Sequence, residues 1–161
     1  MGMICSIHAA TEDDMRRFSG NVDDLFEFFE ESEDTIDLDK SWHAIHFLLT
    51  GSVWEGEPPL NFIIGGGTSI EDSDGGYGEA RFFRKAEVAA ISSSLAAISV
   101  ESLLARYDGK ALTAADIYPS IWARPDEQEE NLNYIRENYS ELQTYLAGLV
   151  DRGSAMIVSI Q

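Results

Sequence analysis

Apolar positions along the chain change period several times, and each change marks an element. Met3, Cys5 and Ile7 alternate with Ile4, Ser6 and His8, the two-residue period of a strand over 3–10. Thr11 then offers a hydroxyl as a helix N-cap. Glu12, Asp13 and Asp14 follow where the positive end of a helix dipole favours acids, and Met15 and Phe18 give a short apolar face before Ser19-Gly20-Asn21 breaks it. Val22, Leu25, Phe26 and Phe29 recur at helical spacing and predict a second helix over 22–33. A third helix runs from a cap at Asp39, with Asp37 as a competing cap, to a stop at Gly51. Trp42, Ile45, His46 and Leu49 share its face, and Phe47 and Leu48 widen the apolar surface enough to bury it on more than one side.

Beyond Gly51 the pattern weakens before it returns. Leu60 to Ile64 is too short to choose between a helix and a buried strand, and 65–78 is a long glycine- and acid-rich loop. Ala80 to Arg84 reads as a strand that sends Phe82 and Phe83 to opposite faces. Val88, Ile91, Leu95 and Ile98 mark a helix over 85–98, and Ser99 caps the next one, which buries Leu103, Leu104 and Tyr107. Asp108-Gly109 reads as a turn, residues 112–116 as a helical turn, and Ile121 and Trp122 as plugs at the core edge. A long helix starts near Pro125 with Leu132, Ile135, Tyr139, Leu142, Leu146 and Leu149 as one stripe, ends at Arg152-Gly153, and leads into an apolar strand over 155–160. The alternation is too irregular for a doubly wound sheet. It predicts an α+β fold: a small, mostly antiparallel sheet that includes both termini, covered by five to six helices, as a single domain over 1–161.

Composition narrows the classes. A chain of 161 residues with 44% hydrophobic and 25% charged residues is globular and long enough to build its own core. The single cysteine, Cys5, permits no internal disulfide and no cysteine-based zinc site, which suits the reducing cytoplasm. The first residues show neither a basic region nor a long apolar run, so no signal peptide is expected, and no run is long enough for a membrane helix. The balance of 29 acids against 11 bases, a net charge of −18, repels nucleic acids and anionic lipids and attracts basic proteins.

The candidate chemistry is sparse. His43 and His46, three apart on a helix, are neighbours, but zinc needs a third ligand and the H-E-x-x-H spacing is absent. Asp39, Trp42, His43 and His46 are the candidate pocket, because an imidazole near a carboxylate is poised for proton transfer near neutral pH. A capping aspartate, a core tryptophan and packed histidines explain the same residues without chemistry, and two helical turns, roughly 10 Å, separate Asp39 from His46. Gly65-Gly66-Gly67 matches neither phosphate-loop pattern, and Glu71, Asp72 and Asp74 would repel phosphate. Asp72, Asp74 and Gly75 lack the frame of an EF-hand. No cofactor, metal or catalytic set is assigned.

The stretch Asp37-Leu38-Asp39-Lys40-Ser41-Trp42-His43-Ala44-Ile45-His46-Phe47-Leu48-Leu49-Thr50-Gly51 resembles the signature of the YfbM-like family of small bacterial proteins of unknown function. Pro59-Leu60, Gly65-Gly66, Ile117-Tyr118-Pro119 and the terminal strand extend the resemblance along the chain. It implies an α+β cytosolic domain and supplies no catalytic residues. Two functions follow as expectations. One is a non-enzymatic, acidic protein-binding domain that docks a basic protein, for example a toxin-neutralising or immunity-type partner, through Asp23, Asp24, Glu27, Glu30 and Glu31 and through Asp126, Glu127 and Glu130. The other is a small-molecule-binding protein or enzyme with a pocket near Trp42, His43 and His46, lidded by the 65–78 loop.

Overall fold

The computed structural model describes residues 2–161; Met1 lies outside the described residues. Five antiparallel strands form one sheet: β1 (Cys5–Ala10), β2 (Thr35–Asp37), β3 (Thr68–Ser69), β4 (Arg81–Phe83) and β5 (Ala155–Ile160), in the order β2-β1-β5-β4-β3. The two terminal strands meet at the centre, with Cys5 opposite Ile160 and Ala10 opposite Ala155. Ile4 and Gln161 extend the ladder by exchanging backbone hydrogen bonds of 2.7 and 2.9 Å.

The sheet is apolar on both faces, and each face carries its own helices. Alternation sends Cys5, Ile7, Phe83, Met156 and Val158 to one core, with α3 (Trp42–Thr50), α4 (Lys85–Ala96), α5 (Val100–Leu104), α6 (Gly109–Ala114) and α7 (Gln128–Asp151) packed over it. Ala10, Phe82, Ala155 and Ile157 face the second core under α1 (Glu12–Gly20) and α2 (Val22–Glu31). The fold is α+β, with seven α-helices among the described residues, close to the expected five to six. Ile135, Tyr139, Leu142, Leu146 and Leu149 of α7 are fully buried in the first core, and each fully buried leucine stabilises the fold by roughly 1.5–3 kcal/mol.

The differences from the expected elements have local causes. Asp108 is an N-cap rather than a turn residue: its carboxylate accepts from the Lys110 and Ala111 amides at 3.0 and 3.2 Å and opens α6. Phe26 is 42% exposed, because the buried stripe of α2 is set by Leu25 with Phe28 and Phe29 three and four residues on, and Phe26 lies about 100° away from Leu25. Leu104, Tyr107 and Leu132 are half-buried; Asn131 takes the buried place at the start of α7 and donates to the Ile121 carbonyl. Asp39 does not cap α3. It begins a 3₁₀ turn (Asp39–Ser41) with a positive φ of 49°, and the Asp37 carboxylate accepts its amide.

Candidate functional site

Burial dictates the state of the helix that carries the expected pocket. In α3, Trp42, His43, Ala44, Ile45, His46, Leu48 and Leu49 are all buried. His43 is fully enclosed and both of its ring nitrogens are used. The Tyr118 amide donates to Nδ1 at 3.0 Å, so Nδ1 carries no proton, and the proton on Nε2 goes to the Val53 carbonyl at 3.0 Å. The neutral Nε2–H tautomer is therefore fixed by two backbone groups, and burial lowers the ring's pKa further. His46 is also enclosed. It has one 3.4 Å contact with the Thr50 hydroxyl and no partner at Nδ1, and burial brings its pKa down to about 4. Asp39 is exposed and accepts from the Tyr134 hydroxyl at 2.7 Å. The structure thus stacks His43 on Trp42, buries His46 one turn further along α3, and leaves Asp39 exposed at the surface.

Trp42 and His43 belong to an aromatic stack. Their rings lie 4.9 Å apart and nearly parallel, Tyr118 covers Trp42 at 5.9 Å, and Trp54 lies 4.4 Å from His43. Trp42 is anchored by its indole N–H, which donates to the Met3 carbonyl at 3.0 Å. Trp54 is brought back over α3 because Gly51, in the left-handed region at φ 74°, stops the helix and reverses the chain. The Thr50 hydroxyl then accepts the Ser52 amide at 3.1 Å and the Ser52 hydroxyl accepts the Glu55 amide at 3.0 Å, which sets the loop.

Beside this stack lies a cavity of about 490 Å³. Trp42, Val158, Met3 and Ile160 form its apolar inner surface, Ile64 and Arg81 add to it, Ser69 borders it from β3, and Trp54, Tyr77 and Glu79 border it from the outer loops. Trp54 and Tyr77 are 58% and 53% exposed, a large aromatic surface left in water at the cavity mouth. Neither His43, His46 nor Asp39 borders the cavity; of the four expected pocket residues only Trp42 does, and Ser69, Gly76, Tyr77 and Gly78 of the 65–78 stretch border it as well.

Arg81 is the unusual group. It is 91% buried, and burial lowers its pKa to about 10. Its guanidinium donates to the Phe62 carbonyl at 2.8 Å, the Ile63 carbonyl at 2.6 Å and the Gly65 carbonyl, closing the end of the 60–65 turn. The same cation lies 5.5 Å above the Phe83 ring. No carboxylate pairs with it among the described residues, where the ion pairs are Arg16–Asp13, Arg17–Asp24, Arg124–Glu127 and Arg152–Asp34, all at the surface. The nearby Cys5 thiol is no counter-ion, since burial pushes it up to about 12 and keeps it neutral.

The other expected surfaces are also placed. Asp23, Glu27, Glu30 and Glu31 are exposed on α2, with Asp24 half-buried; Asp126 and Glu130 are exposed near the start of α7, with Glu127 half-buried. The two sets lie in opposite helical layers and form two patches. No group of three or more His, Cys, Asp or Glu among the described residues could hold a metal ion. Arg81, Trp54 and Glu79 were not legible as site residues, and Tyr77 only as part of the 65–78 stretch expected as a lid. The available signal was a charged residue sharing the apolar face of Phe83 in β4, and a tyrosine set between two glycines in a loop.

Residues 1–159 match the profile of a protein family described as a domain of unknown function, DUF1877. The chain belongs to this family. A crystal structure of YfbM from Escherichia coli, a protein of unknown function, superposes on this DUF1877 domain with a TM-score of 0.79 at 20% identity, over 98% of this chain and 99% of that one. At that identity the likeness concerns the fold, and the family is YfbM-like. No curated protein matches the sequence. Among the described residues of this DUF1877 domain, no helix is long and apolar enough to cross a membrane.

Proposed function

We propose that this chain is a small-molecule-binding domain whose ligand occupies the cavity between Trp42 and the 69–79 loop. The carrying observation is the cavity itself. Its volume of about 490 Å³ lies within the usual range of ligand sites, its inner surface is apolar, and an unpaired buried cation borders it. Trp54 and Tyr77 are exposed at its mouth, and a bound ligand would cover both. Glycines at 76 and 78, with φ of 110° and 98°, give the Tyr77 segment backbone freedom to close over it. The aromatic stack holds the inner side in place, so His43 acts as a brace for Trp54 and not as a base. The reading places the protein in the cytoplasm, supported by its single, buried thiol.

The experiment is a ligand-observed NMR screen of small aromatic and aliphatic compounds against the wild-type chain and Trp54→Ala. Binders lost in Trp54→Ala are the expected result. A library in which every binder is indifferent to Trp54→Ala overturns the assignment.

A second reading, an acidic domain that docks a basic protein of immunity-partner type, is supported by one arrangement on α2. Exposed Phe26 sits among Asp23, Glu27, Glu30 and Glu31 on a helix without a single base. Such a patch fits an apolar residue flanked by lysines or arginines, with association that weakens as salt rises. Recovery of no basic protein in a low-salt pull-down counts against it.

A further inference from the structure

The charges that border the cavity define what it takes. Arg81 and Glu79 are two residues apart, so in extended chain they project to the same side, and both line the same volume. They do not pair with each other, and neither pairs with any other charge among the described residues. The Arg81 bonds to four carbonyls, those of Phe62, Ile63, Gly65 and Gly66, meet dipoles and bring no counter-charge; Nε and one Nη2 proton have no acceptor among the described residues. Glu79 accepts the Asp72 amide through Oε1 at 3.2 Å, and Oε2 has no donor among the described residues.

We infer that the ligand is an aromatic zwitterion of the amino-acid or short-peptide type, its carboxylate at Arg81, its ammonium group at Glu79 and its ring against Trp42, Trp54 and Tyr77. This rests on the cavity being a ligand site. An uncharged aromatic molecule leaves the buried cation without a counter-ion. A simple anion brings a second negative charge to Glu79, and a simple cation brings a second positive charge to Arg81. Only a molecule with both signs supplies each group with a charge-assisted hydrogen bond. The planar guanidinium fork suits a carboxylate, and the aromatic walls suit a ring edge or face.

Four forms of one molecular body test this: L-phenylalanine, its amide, its N-acetyl derivative and its N-acetyl amide, titrated by saturation-transfer NMR at pH 7. The zwitterion should bind at least about tenfold more tightly than the cation, the anion or the neutral form, about the preference expected for one charge-assisted contact. Replacing Arg81 also removes the closure of the 60–65 turn, so Glu79→Gln, at the half-buried cavity edge, carries the test. It should bring the zwitterion to within about threefold of the N-acetyl anion, the loss of one charged contact. Equal affinities for all four forms overturn the charge inference and leave the cavity as an apolar ligand site. If none of the four binds while uncharged library compounds do, only the zwitterion assignment falls; if nothing in either set binds, the ligand-site reading falls with it.

Discussion

The Tyr118 backbone amide donates to His43 Nδ1 at 3.0 Å across 75 positions of sequence. This one bond fixes the tautomer of the histidine, ties the Ile117-Tyr118-Pro119 connector to α3, and holds the ring stacked on Trp42 at 4.9 Å with Trp54 tilted against it at 4.4 Å. A histidine that a sequence presents as a candidate base is here a brace between two backbone groups.

Replacing it should therefore cost stability before it costs chemistry. His43→Ala leaves the Tyr118 amide and the Val53 carbonyl unpaired in the interior and opens a void under Trp54, a loss of about 3 kcal/mol. Urea denaturation measures it, and the tryptophan emission should move to longer wavelength as Trp54 loses its support. A variant as stable as wild type would show that the two bonds contribute nothing.

The three buried histidines set the acid limit of the fold. His8, packed 4.8 Å from Phe29 with an unpartnered Nδ1, has its pKa lowered by burial to about 4, as has His46, and His43 is lowered too. In the unfolded chain each titrates near 6.5. The unfolded state thus binds protons first as pH falls. Stability is complete above about pH 6.5 and is lost progressively toward pH 4, by about 3 kcal/mol each for His8 and His46 at the bottom of the window. Denaturation midpoints measured at pH 7, 6 and 5 should decline, and His8→Leu should decline less steeply. A pH-independent midpoint over that range contradicts this.

At the edge of the sheet, Gly67 is held at φ 67°, and a Cβ there would lie 2.8 Å from the Phe82 carbonyl oxygen. Gly67→Ala should therefore destabilise by about 1–3 kcal/mol through backbone strain and a displaced β3. Thermal denaturation reads the loss directly, and weakened ligand binding should accompany it because Ser69 borders the cavity.

Tyr145 joins α7 to β1 and to the residue before β2: its hydroxyl accepts the Ala9 amide at 3.1 Å and donates to the Asp34 carbonyl at 2.8 Å. Tyr145→Phe should cost about 1 kcal/mol, the loss of one half-buried and one exposed hydrogen bond. Hydrogen exchange at Ala9 should accelerate only modestly, since its amide keeps the Asp34 backbone carbonyl as an acceptor at 3.0 Å.

The sheet of two terminal strands, the α7 stripe and the caps at Thr11 and Ser99 were legible because each is written in local periodicity or in one hydroxyl at a helix start. Strands β2 and β3 were not, since they are short, mostly exposed edge strands without alternation. The 60–64 run could not be assigned locally: its carbonyls are satisfied by Arg81 from β4, a long-range bond that no local pattern encodes. The site was only partly legible for the same reason. Trp42 stood out on α3, but the cavity is completed by Trp54, Tyr77, Glu79 and Arg81, which come together only through the turn at Gly51 and the pairing of β4 with β5.

The central claim, a ligand site between Trp42 and Trp54, is tested most directly by the indole N–H resonances of the three tryptophans. In ¹⁵N-labelled protein titrated with L-phenylalanine, the Trp42 and Trp54 signals should shift together with one affinity. Trp122, whose indole donates to the Ile117 carbonyl at 3.0 Å and which does not border the cavity, should stay in place. Unmoved Trp42 and Trp54 signals, both for this probe and for every binder from the neutral library, would contradict the account.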